Sequence, residues 1–187
     1  MRFGREFLAP AVGSAHGRAR RHFCDHVGRR PGVHRVVHSA DGLPVGGASA
    51  LRMAGDLLFI SGQGTPILIL RLGEAPGYEV TEGGRLTIDY SNSWMHPQSA
   101  LQARRGADGI FELFFPLGSK VNFATTTATL PLMTTFGVEA TLAGDAIHRD
   151  RFRDDDGTLT GIDHEQIATG LRSASGLAFH PKTGDLY

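Results

Sequence analysis

Gly170–Tyr187 reads GLRSASGLAFHPKTGDLY. Within it Gly176-Leu177-Ala178-Phe179 is an apolar run of strand length, His180-Pro181-Lys182-Thr183-Gly184 is turn chemistry, and Asp185-Leu186-Tyr187 opens a second strand. Proline presets one backbone angle of a tight turn and glycine admits the positive φ that such a turn demands. The stretch therefore predicts an antiparallel strand pair. The second strand runs into the last residue, so the chain reads as a piece of a larger β-rich unit.

Working backwards, the same signal recurs. Leu57-Leu58-Phe59-Ile60, Ile67-Leu68-Ile69-Leu70, Arg85-Leu86-Thr87-Ile88 and Phe111-Glu112-Leu113-Phe114-Phe115 are each strand length. Between them lie Gly62-Gln63-Gly64, Glu82-Gly83-Gly84, Gly106-Ala107-Asp108-Gly109 and Asp154-Asp155-Asp156-Gly157, all read as turns. The Thr-rich segment from Thr125-Thr126-Thr127 to Thr134-Thr135 has β-branched character and reads as a strand or an insertion on an outer strand. No helical period is sustained. The pattern predicts an all-β meander of hairpins.

A loose internal repeat favours a propeller over a sandwich. Ala54-Gly55-Asp56-Leu57-Leu58, Asp108-Gly109-Ile110-Phe111 and Thr183-Gly184-Asp185-Leu186-Tyr187 each set a glycine turn just ahead of an apolar strand. At ~40–50 residues per blade, residues 43–187 suffice for about three blades. The expectation is a partial β-propeller of about three blades, the N-terminal half of a ring, truncated after Tyr187. Its open blade edges would suit self-association.

Two blocks carry a resemblance. Gly170–Tyr187 resembles a segment of the soluble quinoprotein sugar dehydrogenases, the glucose/sorbosone dehydrogenase family of six-bladed propellers. There a Gly-Leu-Arg-Asn turn precedes Gly-Leu-Ala-Phe-His-Pro; here Arg172 is kept and Ser173 replaces the Asn. His96–Asn122, HPQSALQARRGADGIFELFFPLGSKVN, resembles the same family's catalytic-loop blade, ending in Gly-Ser-x-x-Asn.

The resemblance implies pyrroloquinoline quinone (PQQ) and calcium as cofactors and a sugar as substrate. It implies that His96 takes the proton of the anomeric hydroxyl while hydride passes to the quinone. An imidazole suits that role because its ordinary pKa lies near neutrality. Arg172, with Ser173 beside it, would contact the cofactor, its planar permanent charge matching carboxylates or quinone oxygens. Ser119 stands where the best-known members carry the Asp that orients the histidine. The family's calcium contacts follow the strand begun at Leu186-Tyr187, so this polypeptide by itself is expected to bind the quinone poorly or not at all.

The departures at Ser119 and Ser173 support an alternative of another class, a non-catalytic NHL-like propeller that binds protein or carbohydrate. A metal-dependent lactonase needs several acidic or amide ligands facing a channel. Asn122 and Asp145 alone offer themselves for that.

Composition narrows the rest. Lys+Arg and Asp+Glu balance at 19 each in 187 residues, which argues against nucleic acid as a partner. Residues 1–42 read as a separate basic leader, expected to be disordered. Its first 41 positions hold eight arginines, five of the nine histidines and three acidic residues. No apolar run there is long enough for a signal-peptide core or a membrane span, although the family resembled is mostly extracytoplasmic.

A single cysteine, Cys24, excludes an intramolecular disulfide. His22-x-Cys24-x-His26 lacks the fourth ligand and fixed spacing of a structural zinc site. Asp154–Asp156 with Asp163 lack the alternation of a calcium loop and read as an acidic hairpin turn. Gly62-Gln63-Gly64 has no following Gly-Lys-Ser/Thr and is no phosphate loop.

Overall fold

The computed structural model describes residues 47–74, 79–122 and 128–187. The chain divides into two units, Met1–His38 and Ser39–Tyr187. The basic leader and its His22, Cys24 and His26 lie outside the described residues, which are all-β, with ten strands and no helix.

The strands are β1 (Ala48–Ala54), β2 (Leu57–Gly62), β3 (Ile67–Leu72), β4 (Val80–Ile88), β5 (Gln102–Arg105), β6 (Phe111–Leu117), β7 (Thr129–Thr134), β8 (Glu139–Ala143), β9 (Ala146–Asp155) and β10 (Thr158–Thr169). They form two antiparallel sheets, one ordered β1-β2-β3-β4-β7-β8 and the other β10-β9-β6-β5. Each sheet contains a four-stranded meander in chain order, β1 to β4 in the first and β5, β6, β9, β10 in the second. The β7–β8 hairpin interrupts the second meander and crosses to the first sheet. There Leu86, Thr87 and Ile88 pair with Thr134, Met133 and Leu132. The Thr-rich segment thus supplies an inserted strand that extends an outer edge.

The sheets pack face to face because both present alternate apolar residues inward. Leu57, Phe59, Ile67, Ile69, Leu86 and Leu132 from the first sheet share one core with Phe111, Leu113, Phe115 and Phe152 from the second. Phe152 is its hub, stacked on Phe111 at 5.4 Å between centroids and tilted against Phe136 at 5.0 Å and Phe59 at 6.2 Å.

The second sheet is covered on its other face too. There Phe114 and Ile147 meet Leu177, with Phe179 and Leu186 packed alongside. The segment quoted first therefore forms a third layer. Phe179 bridges Leu186, and Ala178 and Tyr187 exchange two backbone hydrogen bonds of 2.8 Å. Arg104 fastens this layer by lying over the Phe179 ring at 4.7 Å and donating to the Gly184 carbonyl at 3.1 Å.

One expected turn is a strand. Glu82-Gly83-Gly84 lies inside β4, where the register shifts between Ile69 and Leu70 and leaves Gly83 as a bulge. A Cβ on Gly84 would sit 3.0 Å from Leu159 Cδ1 and 3.3 Å from Phe136 Cδ1. The glycine serves close packing, not a reversal. The acidic turn does form: Asp156 and Gly157 both have positive φ, 50° and 91°, as a two-residue hairpin loop requires. Asp154 caps it by accepting from the Gly157 amide at 3.0 Å and pairs with Arg71 of β3 at 2.7 Å.

Candidate functional site

Antiparallel pairing brings the end of β6, the start of β9 and the end of β10 together. Leu117 faces Ala146, and Ala146 faces Thr169. The loops that leave this end carry Gly118–Asn122, Gly144-Asp145 and Leu171–Ser173, and the β4–β5 loop lays His96 across them.

The backbones interlock at Gly118. Its amide donates to the His96 carbonyl at 3.0 Å, the Ser119 amide donates to the Arg172 carbonyl at 2.9 Å, and the His96 amide donates to the Ser119 carbonyl at 3.1 Å. A Cβ on Gly118 would lie 2.3 Å from the Arg172 carbonyl oxygen and 2.7 Å from His96 Cβ, so only glycine admits this crossing. The Trp94 indole N–H closes over it, donating to the Gly118 carbonyl at 2.9 Å.

Side chains converge on Asn122. Its Oδ1 lies 3.2 Å from His96 Nε2 and accepts a hydrogen bond from Arg172 Nη2, linking partners 26 and 50 positions away. His96 is half-buried, while Arg172 and Ser173 are exposed. Ser119 is buried at 3% and its hydroxyl donates to Asp145 Oδ1 at 2.6 Å. The hydroxyl therefore does not orient His96. That contact belongs to Asn122. Asp145 holds a left-handed φ of 56°, a conformation that Asp tolerates better than most residues.

A buried anchor keeps the His96 loop in place. Gln98, 0% exposed, donates from Nε2 to the Gly62 carbonyl at 3.1 Å and to the Thr65 carbonyl. Its Oε1 accepts from the Tyr90 hydroxyl, which accepts in turn from the Gln98 amide at 3.1 Å. Burial raises the Tyr90 pKa, so the phenol stays a neutral donor.

A second polar constellation has no precursor in the motifs. Ala143 at the end of β8 accepts from His148 Nε2 at 2.9 Å, His148 Nδ1 lies 3.2 Å from His164 Nε2, and His164 Nδ1 lies 2.6 Å from Asp150 Oδ1. A carbonyl only accepts, so His148 carries its hydrogen on Nε2 and receives one from His164 on Nδ1. Burial pushes the His148 pKa down to about 4, and burial raises that of Asp150, which is 0% exposed. The chain of groups ties the inserted hairpin of the first sheet to β9 and β10 of the second.

At this end Arg172 and Ser173 are exposed, and the Arg172 guanidinium is engaged by the Asn122 side-chain oxygen. Among the described residues, no group of three or more His, Cys, Asp or Glu side chains is arranged to hold a metal ion. The carboxylate of Asp163 is engaged by Arg151 Nε at 2.8 Å, which lowers its pKa. Among the described residues no helix is long and apolar enough to cross a membrane.

In comparisons with known proteins, no family model matches the chain, and no curated protein or solved structure matches it at a significant level.

Proposed function

We propose that residues 43–187 belong to a partial β-propeller of the PQQ-dependent sugar dehydrogenase kind, with His96 as the base and Arg172 as the cofactor contact. What supports the reading is one observation. His96 and Arg172, drawn from the two sequence blocks that resemble that family, meet at the same Asn122 oxygen. The stacking of two four-stranded meanders and a third strand pair suits successive blades.

When bound, the quinone would accept the hydride from the sugar. His96 would take the proton of the C1 hydroxyl, so that O–H and C–H bonds break together with formation of the carbonyl. Arg172 and Ser173 would hold the anionic cofactor. Trp94 and the interlocked backbones around Gly118 would keep the two loops at fixed spacing.

The test is dye-linked oxidation of aldoses with PQQ and calcium, by this chain and by a form extended through the strands of a following blade. Turnover that His96→Ala abolishes is expected. Absence of turnover from both folded forms would sink the enzyme reading.

One observation favours a non-catalytic, NHL-like propeller instead. The Ser119 hydroxyl is spent on Asp145, so among the described residues no carboxylate is hydrogen-bonded to His96. Under that reading the same loop face binds glycan or protein, and binding of glycans survives His96→Ala.

A further inference from the structure

We infer that Asn122 fixes the tautomer of His96, leaving Nδ1 as the ring nitrogen that receives the substrate proton. This deepens the reading of His96 as a base and rests on it. A guanidinium has donors and no acceptor, so the Asn122 atom that meets Arg172 Nη2 is the carboxamide oxygen. That same oxygen lies 3.2 Å from His96 Nε2. An oxygen facing an imidazole nitrogen at that distance requires hydrogen on the nitrogen, since two lone pairs would otherwise oppose each other. In the neutral ring the lone pair then sits on Nδ1.

Among the described residues, Asn122 is the side chain hydrogen-bonded to the His96 ring. The Ser119 hydroxyl is turned to Asp145, and no described residue hydrogen-bonds to His96 Nδ1. The His96 main chain is pinned on both sides, by its own amide to Ser119 and its carbonyl to Gly118, which limits how the ring can swing. Asn122 is accordingly a positioning residue. It touches neither the reacting hydroxyl nor the quinone in this account, and it acts through the ring it orients.

The experiment is nitrogen NMR of the 187-residue chain labelled at histidine, about two units above the ordinary histidine pKa, with the His96 ring identified by its loss in His96→Gln. The expected wild-type signature is a protonated Nε2 and a bare Nδ1. Asn122→Ala should give averaged tautomers, and Asn122→Asp, whose carboxylate also accepts, should restore the single form. A wild-type ring protonated at Nδ1, or a His96 signature unchanged in Asn122→Ala, overturns the assignment. The wild-type spectrum and Asn122→Asp decide the matter even where Asn122→Ala fails to fold. Neither quinone nor sugar is needed, so failure of the enzyme reading and failure of this one are separable. Where turnover is measurable, Asn122→Ala lowers kcat with KM for the sugar nearly unchanged.

Discussion

The carbonyl oxygen of Arg172 approaches Gly118 so closely that a Cβ built on the glycine would lie 2.3 Å from it. Gly118→Ala must therefore push the Arg172 loop away, while the inter-sheet core is untouched. Trp94, the single tryptophan, donates to the Gly118 carbonyl and reports the change. The expected result is a shifted Trp94 emission with the far-ultraviolet strand signal retained. Unchanged emission would show that the crossing relaxes without cost.

Phe152 joins the two sheets through three aromatic neighbours and is 0% exposed. Phe152→Ala removes a buried ring and leaves a cavity, which costs about 3–5 kcal/mol. Denaturant unfolding measures it. A loss under about 1 kcal/mol would mean that the sheets do not share this core.

The buried histidine gives the fold an acid limit. The folded-state pKa of His148, about 4, lies below the ordinary histidine value of 6.5, so the unfolded chain binds the extra proton between them. Stability from this group is complete above the unfolded value and falls as pH drops towards 4, by on the order of 3 kcal/mol. Asp150 acts in the opposite sense. Its raised pKa contributes stability at low pH that is lost as pH rises past the ordinary carboxylate value. His164, 3.2 Å from His148 and 2.6 Å from Asp150, and the nearby Asp163 carboxylate face the pair. His148→Gln should flatten the wild-type decline in unfolding midpoint through this window. An identical decline in both proteins would assign it to other groups.

Gln98 holds the His96 loop to the β2–β3 turn through the Gly62 and Thr65 carbonyls. Gln98→Ala removes the side-chain donor to the Gly62 and Thr65 carbonyls and the acceptor of the Tyr90 O–H, at about 1–3 kcal/mol. Hydrogen exchange should rise in residues 89–101. Exchange confined to wild-type levels there would remove Gln98 as the anchor.

The strands legible in the sequence are those whose apolar runs face a core on one or both sides, Leu57–Ile60, Ile67–Leu70 and Phe111–Phe115. Strands β9 and β10 were not, because their alternation is hidden. The inward positions of β9 include His148 and Asp150 beside Phe152, and the outward ones include arginines paired with acids, such as Arg149 with Glu112 at 2.9 Å. Polar residues on both faces erase the period on which strand assignment depends.

Gly83-Gly84 misled for a related reason, since glycine marks a bulge as well as a turn. At the site, His96 and Arg172 stand out through their motifs, and Asn122 closes one of them. Its role as the shared acceptor depends on loops brought together by register. The His148–His164–Asp150 chain depends on register alone: His164 lies directly opposite Asp150.

Calorimetric titration with PQQ and calcium decides whether Arg172 contacts an anionic cofactor. The proteins compared are the 187-residue chain, the form extended by a following blade, and Arg172→Ala in each. The expected result is binding by the extended form that weakens about tenfold or more without the guanidinium, with little or no binding by the shorter chain. No binding by either form, or equal affinity with and without Arg172, would contradict it.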